Sequence, residues 1–389
     1  MEITKKEETL LSELVSFDTS VDKKLDYDKA AKFIVRECKE IGAKTAVIHP
    51  EDKEHQNNLN VIAQINNNSD ETLAICAHFD TVPVKNEEWK TPPFELVRKN
   101  GRIYGRGTND DKGGIVAILS AIAEAKKAPN LELFFSCDEE QGSKYGMDFV
   151  ADNYNIKSTN AIIIDGEPKI FIGGSGGFTT DLTITGKGHH AGWPYKATNP
   201  IELGIPFLEQ MMKFKDIAGK EVSRYTDIDG HRVNGRFVMT VINGGNAKNQ
   251  IPNKMVVSFN IRCIPEANVE NILKQFKEFF EIERSAYIKM LERNKIIDFK
   301  ISMDENPFIK QSYCGKENSK IVQKMKTLIG ETSLHASHGG NDASAFIRKG
   351  IDAMSYGTFN DSAHMENEYV LEADLIRVKR TLIRLLESY

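Results

Sequence analysis

Five short stretches of the sequence place histidine or carboxylate side chains just past apolar runs. His78-Phe79-Asp80 follows residues 73–77, and Asp110-Asp111 ends the stretch Gly105-Arg106-Gly107-Thr108-Asn109. Asp138-Glu139-Glu140 follows residues 131–135, Asp165-Gly166-Glu167 follows 161–164, and His364 comes a short loop after 351–356. Carboxylates crowded together repel, and burial raises their pKa. A divalent cation removes both costs, and imidazole with carboxylate but no thiolate suits zinc at a hydrolytic site. Two zinc ions carry four positive charges. Asp110, Glu140 and Glu167 supply three negative ones and a bridging hydroxide the fourth, which leaves Asp80 and Glu139 for other work. Asp80, two residues past His78, falls on the same strand face and suits holding the second imidazole nitrogen and fixing its tautomer. Glu139 and Glu140, as neighbours, point in different directions: one binds metal, the other faces the attacking water as general base. Asp111 beside Asp110, and Asp165 beside Glu167, stay open as alternative ligands.

These residues are far apart in sequence, so the fold must gather them. Helical periodicity covers residues 5–17, 26–41 and 112–127, the last with Ile115, Val116, Ile118, Leu119 and Ile122 on its buried side. Gly42 stops the second of these, as a helix C-terminus often requires. Short apolar runs at 59–65, 73–77, 131–135 and 161–164 alternate with the helices, which predicts a mostly parallel sheet covered on both faces. In such a sheet the strand C-termini open onto one crevice, where ligands bind. The middle of the chain reads differently. Strands at 178–185, 237–242 and 255–262 with helices at 199–214 and 268–281 form an α+β set of their own. Gly173-Gly174-Ser175-Gly176-Gly177 reads as a hinge before it. The α/β pattern resumes after 306 with a helix at 319–329 and a strand at 351–357. At 389 residues two domains are expected: a catalytic domain over 1–175 and 306–389, and an inserted lid and dimerisation domain over 176–305.

The phrases His78-Phe79-Asp80-Thr81-Val82, Gly105 to Gly114 (GRGTNDDKGG), Asp138-Glu139-Glu140-Gln141-Gly142 and Gly186 to Pro194 (GKGHHAGWP) resemble a zinc exopeptidase and deacylase family. That family includes acetylornithine deacetylase, succinyl-diaminopimelate desuccinylase, aminoacylase-1, carboxypeptidase G and peptidase T. The likeness keeps the motif order from about residue 10 to the end. It implies a zinc-exopeptidase-like mixed α/β sheet with helices on both faces, plus the inserted α+β domain. It also implies Asp110 as the carboxylate bridging two zinc ions, His78 and Glu167 completing one site, and Glu140 and His364 the other. Glu139 is then the general base and Asp80 the residue orienting His78. The family's cis peptide would fall at Asp110–Asp111. Its oxyanion histidine, often supplied across a dimer interface, would be His190, with His189 beside it. Asn249 and Arg262 would contact substrate, Arg262 by pairing bidentately with a carboxylate, and Gly339 and Gly340 would supply a backbone loop near that carboxylate.

Composition sets limits. Net charge is −5, with 28 % charged and 40 % hydrophobic residues, which argues against a nucleic-acid or anionic-membrane partner. The N-terminus shows neither an apolar signal core nor a cleavage site, and no apolar run reaches membrane-spanning length. Five cysteines without CxxC spacing fit buried free thiols and a cytoplasmic setting. Gly105–Gly114 lacks phosphate-loop spacing, and its aspartates would repel phosphate. His49, His55, His231 and His335 read as surface or packing residues, while His338 beside the glycine pair is a further substrate-contact candidate. The expected activity is hydrolysis of the amide bond of an N-acyl amino acid by a metal-bridging hydroxide, with zinc replaceable by cobalt or manganese. The rival is a di- or tripeptidase or carboxypeptidase of the same family, and a remote one is a non-catalytic metal-binding protein.

Overall fold

The computed structural model describes residues 2–85 and 89–389; Met1, the first residue of the segment read for a leader, lies outside them. Contacts divide the chain into two compact units. The first comprises Met1–Gly173, Cys314–His335 and Asn341–Tyr389; the second comprises Gly174–Tyr313 and Ala336–Gly340.

The first unit opens with helix α1 (Lys5–Ser16). Thr4 and Glu7 form a capping box there: Thr4 Oγ1 accepts from Glu7 N at 3.2 Å and Glu7 Oε2 accepts from Thr4 N at 2.6 Å. These bonds satisfy two donors that a helix start otherwise leaves orphaned. Helix α2 (Tyr27–Glu40) follows. In chain order the strands are β1 (Lys44–Ile48), β2 (Asn60–Ile65), β3 (Thr72–His78), β4 (Val97–Lys99), β5 (Arg102–Tyr104), β6 (Asn130–Ser136), β7 (Asn160–Ile163) and β8 (Phe171–Gly174). The main sheet runs β1-β2-β6-β3-β7, then Asp352–Ser355, then β8. β6, β3, β7 and Asp352–Ser355 are mutually parallel. β1 and β2 at one flank, and β8 at the other, are antiparallel to their neighbours. The sheet is therefore mixed around a parallel centre rather than mostly parallel. β1 and β2 are adjacent and joined by a loop without a helix, a connection that permits only the antiparallel arrangement. The central strands read as unbroken apolar runs because both faces are covered: Leu73, Ala74, Ile75, Cys76 and Ala77 of β3 are all buried.

Helix α3 (Lys112–Glu124) starts on Gly113-Gly114. A Cβ on Gly114 would collide with Asp111 Oδ1 and come within 2.7 Å of Ile164 O, so only glycine lets the helix start lie this close to the end of β7. Sequence periodicity missed several elements of this unit, among them β1, whose residues are mostly exposed; the short helices α4 (Met147–Asn153) and Ala343–Arg348; and the C-terminal helix Glu372–Ser388.

The second unit is an antiparallel sheet in the order Arg236–Gly244, Lys254–Arg262, Gly177–Thr185, Lys300–Met303, with Phe308–Lys310 also pairing to Gly177–Thr185. Met255, Val257, Phe259 and Ile261 alternate inward along Lys254–Arg262. They belong to one core with Phe207 and Met211 of helix Pro200–Met212 and Phe276 and Phe280 of helix Val269–Arg293. Burial of each such side chain stabilises the unit by roughly 1.5–3 kcal/mol. The second helix runs past the expected residue 281 because Leu291 extends its buried face. Arg236–Gly244 is an edge strand on which Val238, Val241 and Ile242 are 47, 44 and 56 % exposed. The sequence reading set the insert at 176–305; the compact unit also takes in Phe308–Lys310, held by its pairing to Gly177–Thr179, and the run Ala336–Gly340.

All five cysteines are free, and four of them are buried. No described helix is long and apolar enough to cross a membrane.

Candidate metal centre

The parallel register decides which side chains meet. His78, the last residue of β3, pairs with Ser136 of β6, and Cys76 pairs with Ile163 of β7. Two residues past that pair, Asp165 therefore stands level with His78, on the same face of the sheet. One ligand atom from each of His78, Asp110 and Asp165 lies within 4.8 Å of the others, and so do Asp110, Glu140 and His364. Asp110 belongs to both groups. Its Oδ1 is 2.8 Å from His78 Nε2 and its Oδ2 is 2.8 Å from His364 Nε2, while His364 Nε2 is 3.0 Å from Glu140 Oε2. The Asp110–Asp111 peptide is cis. Glu167, which the resemblance favoured over Asp165, is not in either group. Gly166, with φ of +139°, turns the chain between them.

Asp80 is buried and carries three loads. Its backbone carbonyl lies 3.1 Å and its Oδ1 3.4 Å from His78 Nδ1. Its carboxylate also accepts from Glu139 N at 3.3 Å and Glu140 N at 3.1 Å. It thus anchors the turn Glu139–Gln141 that follows β6, a function the spacing did not reveal. After burial, the charge of Glu139 is the next influence raising the carboxyls of Asp165 and Asp342.

The electrostatics match a cation-binding set. Burial, then the negative charge of Asp110, pushes the Glu140 carboxyl up to about 8. Burial and the Glu139 charge hold Asp165 well above the ordinary carboxyl range. Burial favours a neutral His78, yet its hydrogen bonds to Asp110 and Asp80 outweigh that and hold the imidazole well above its usual value. Hydrogen bonds to Asp110 and Glu140 carry His364 up to about 11. Burial raises Asp110, but the two imidazoles overcome it and bring that carboxyl below its ordinary value. The imidazolium protons here answer a surplus of carboxylate charge that divalent cations would neutralise more fully. Glu140 Oε1 is buried with no hydrogen-bond partner among the described residues, as suits an oxygen kept for a cation. The two groups, with Asp110 shared, fit a pair of divalent cations.

The sequence-derived substrate contacts fall in the second unit. His190 is exposed on the two-residue strand His189–His190, which pairs with Gln250–Ile251, and Ala191 N donates to Asn249 O at 2.9 Å. A cavity of about 880 Å³ is lined by His190, Asn249, Gln250 and Lys254, among others. His190 Nδ1 accepts from Gly192 N at 3.0 Å. A ring nitrogen that accepts carries no proton, so the neutral imidazole presents Nε2–H as a donor. Arg262 lies at the far end of the strand that begins at Lys254, its Nε 3.1 Å from Asn260 Oδ1. Lys310 and Arg262 both register with Gly177, and Lys310 Nζ donates to Gly340 O at 3.1 Å. The structure thus gathers His190 with Asn249 at one end of the sheet, and Arg262 with the Gly339-Gly340 loop at the other. His338 is engaged by Asp227 at 3.0 Å and Arg236 at 2.7 Å. His335 is buried beside the Phe171 ring, and His55 stacks on Tyr145.

Residues 74–388 match the model of Peptidase family M20/M25/M40. The chain belongs to this family. It is 30 % identical over 357 residues to an uncharacterised metallohydrolase of Methanocaldococcus jannaschii, covering 84 % of this chain and 83 % of the relative. It is 28 % identical over 362 residues to a probable succinyl-diaminopimelate desuccinylase of Staphylococcus aureus, covering 83 and 86 %. Its fold is similar to that of an M20 family metallo-carboxypeptidase of Sulfolobus solfataricus, with a TM-score of 0.74, 20 % identity and 99 % of each chain covered. As a family M20 protein this chain is a metallohydrolase of linear amide or peptide bonds.

Three polar residues of this M20 enzyme, Asp342 and Glu368 buried and Asn341 half-buried, escaped the sequence reading. Asn341 Nδ2 donates to Asp165 O at 3.1 Å and fixes the strand exit that delivers that carboxylate. Asp342 accepts from Ser136 Oγ and Ser143 Oγ, both at 2.5 Å, tying the end of β6 to the loop beyond Glu140. Glu368 binds the backbone of the loop that carries Asp110. None of the three has a local pattern that separates it from a solvated polar residue. Only their hydrogen bonds to residues distant in sequence mark them.

Proposed function

We propose that this enzyme removes the acyl group from an N-acyl amino acid, in the manner of acetylornithine deacetylase or succinyl-diaminopimelate desuccinylase, at a centre of two zinc ions. Cobalt or manganese would suit the same donors. The observation that carries the reading is the Asp110 carboxylate, whose two oxygens meet one imidazole each. His78, Asp110 and Asp165 hold one cation; Asp110, Glu140 and His364 hold the other. When bound, the pair supplies Lewis acidity toward the carbonyl and acidifies the attacking water. Asp80 holds His78 in its tautomer and sets the Glu139 turn. The Glu139 carboxylate takes the proton from the water and returns it to the leaving amine. His190 Nε2–H donates to the developing oxyanion, and Arg262 pairs with the substrate carboxylate beside the Gly339-Gly340 loop.

His190 and Arg262 belong to different copies in this proposal. They lie toward opposite ends of the strand from Lys254 to Arg262, whose ends are eight residues, roughly 26 Å, apart. No single small substrate touches both within one chain. A homodimer in which each copy lends His190 and Asn249 to its partner meets that constraint, and the apolar exposed edge Arg236–Gly244 offers a strand for pairing. Five free thiols suit a cytoplasmic enzyme.

The desuccinylase relative supports the deacylase reading. The rival, a dipeptidase, tripeptidase or carboxypeptidase, is supported by the fold shared with the carboxypeptidase. Amine release from N-succinyl-diaminopimelate, N-acetylornithine, acetylated amino acids, dipeptides and tripeptides separates them. The acylated amino acids are expected to give the highest kcat/KM; faster peptide cleavage would replace this reading with the rival, and no turnover of any amide would remove both.

A further inference from the structure

Glu368 is wholly buried, four residues past His364, and its carboxylate collects the backbone of the loop that carries Asp110. Oε1 accepts from Asn109 N at 2.8 Å and Asp110 N at 3.1 Å. Oε2 accepts from Gly107 N at 3.0 Å and Arg106 Nη1 at 2.7 Å. The Glu368 carbonyl accepts from Gly105 N at 3.1 Å. Arg106 is itself buried. A buried ion pair adds little net stability, because desolvation offsets much of the attraction. What this pair provides is geometry: a rigid link between the loop bearing Asp110 and the segment bearing His364, whose side chains meet at 2.8 Å.

We propose that Glu368, with Arg106 as its counter-charge, is a positioning residue for the cation pair, holding the Asp110 carboxylate where both imidazoles reach it. The proposal rests on the two-cation reading above and concerns residues that touch neither substrate nor cation. Outer groups that orient ligands in this way typically change metal affinity or activity by roughly 10–100-fold when altered.

Zinc affinity of the full-length enzyme, read by competition with a chromophoric chelator, tests it alongside kcat, KM and thermal unfolding of the metal-free protein. Glu368→Gln keeps the shape, but its amide nitrogen cannot accept, so one of the two donor pairs loses its acceptor. Zinc affinity is expected to fall roughly 10–100-fold, with kcat reduced, KM unchanged and part of kcat restored by excess zinc. Glu368→Asp, which keeps the charge on a shorter stem, should fall between. Lower thermal stability with unchanged zinc affinity and unchanged kcat would overturn the proposal. If Glu368→Gln does not fold, wild-type zinc affinity and kcat in Glu368→Asp overturn it equally. A wild-type enzyme that binds no zinc removes the two-cation reading and this proposal with it. A wild-type enzyme with two zinc ions beside an unaffected Glu368→Gln removes the positioning role alone.

Discussion

In the first unit His78, Asp80, Asp110 and Asp165 are buried, and their loops are pinned by Asp80, Glu368 and Asn341. In the second, His190 and Asn249 are exposed and Arg262 half-buried, positioned by short strand pairings and single side-chain bonds. The contrast separates two tasks. Groups that hold charge near charge need a fixed, dry setting, since misplacing them leaves buried carboxylates unpaired. Groups proposed to meet a changing substrate need only a place on a surface and a free donor.

The comparison predicts a graded set of failures. Glu139→Ala should lower kcat about 10²–10⁴-fold while elemental analysis still finds two metal ions per chain; turnover near wild type would remove Glu139 from the proton path. His190→Ala should cost about 10²–10³-fold in kcat with metal content and unfolding temperature unchanged. Mixing it with Glu139→Ala should restore about a quarter of wild-type activity, since random pairing makes half the dimers mixed, each with one intact site. Failure to rescue would put His190 to work within its own chain. Asp165→Ala should release one of the two ions and Glu167→Ala neither. Loss of an ion from the Glu167 variant instead would restore the residue that the motif favoured. The smallest effect belongs to a site with no part in the chemistry. Thr4→Ala removes half of the capping box and should lower stability by about 1 kcal/mol, read by denaturant unfolding, with kcat untouched.

Much of the site was legible because motif and strand exit coincide: His78, Asp110, Glu140 and His364 each follow an apolar run or a glycine-rich turn, and the structure brings them together. The convergence of Asp165, rather than Glu167, with His78 and Asp110 was not, because it depends on which strand lies beside β3 and in what register, and the pairing of Cys76 with Ile163 is a tertiary fact. The antiparallel flanks escaped for the same reason, as did β1, whose largely exposed residues carry no apolar alternation. The pinning residues Asn341, Asp342 and Glu368 act through backbone groups distant in sequence, and no local spacing records such a partner.

The three loads on Asp80 bear on how the enzyme would accept redesign. Because one side chain steadies an imidazole and also the amides of the next turn, any substitution there changes several properties at once, and its effect cannot be ascribed to one of them. A library built to change substrate preference should leave positions 80, 190 and 249 fixed and draw its diversity from the exposed positions 193–196 and 243–248, where new side chains leave the buried carboxylates of the first unit untouched.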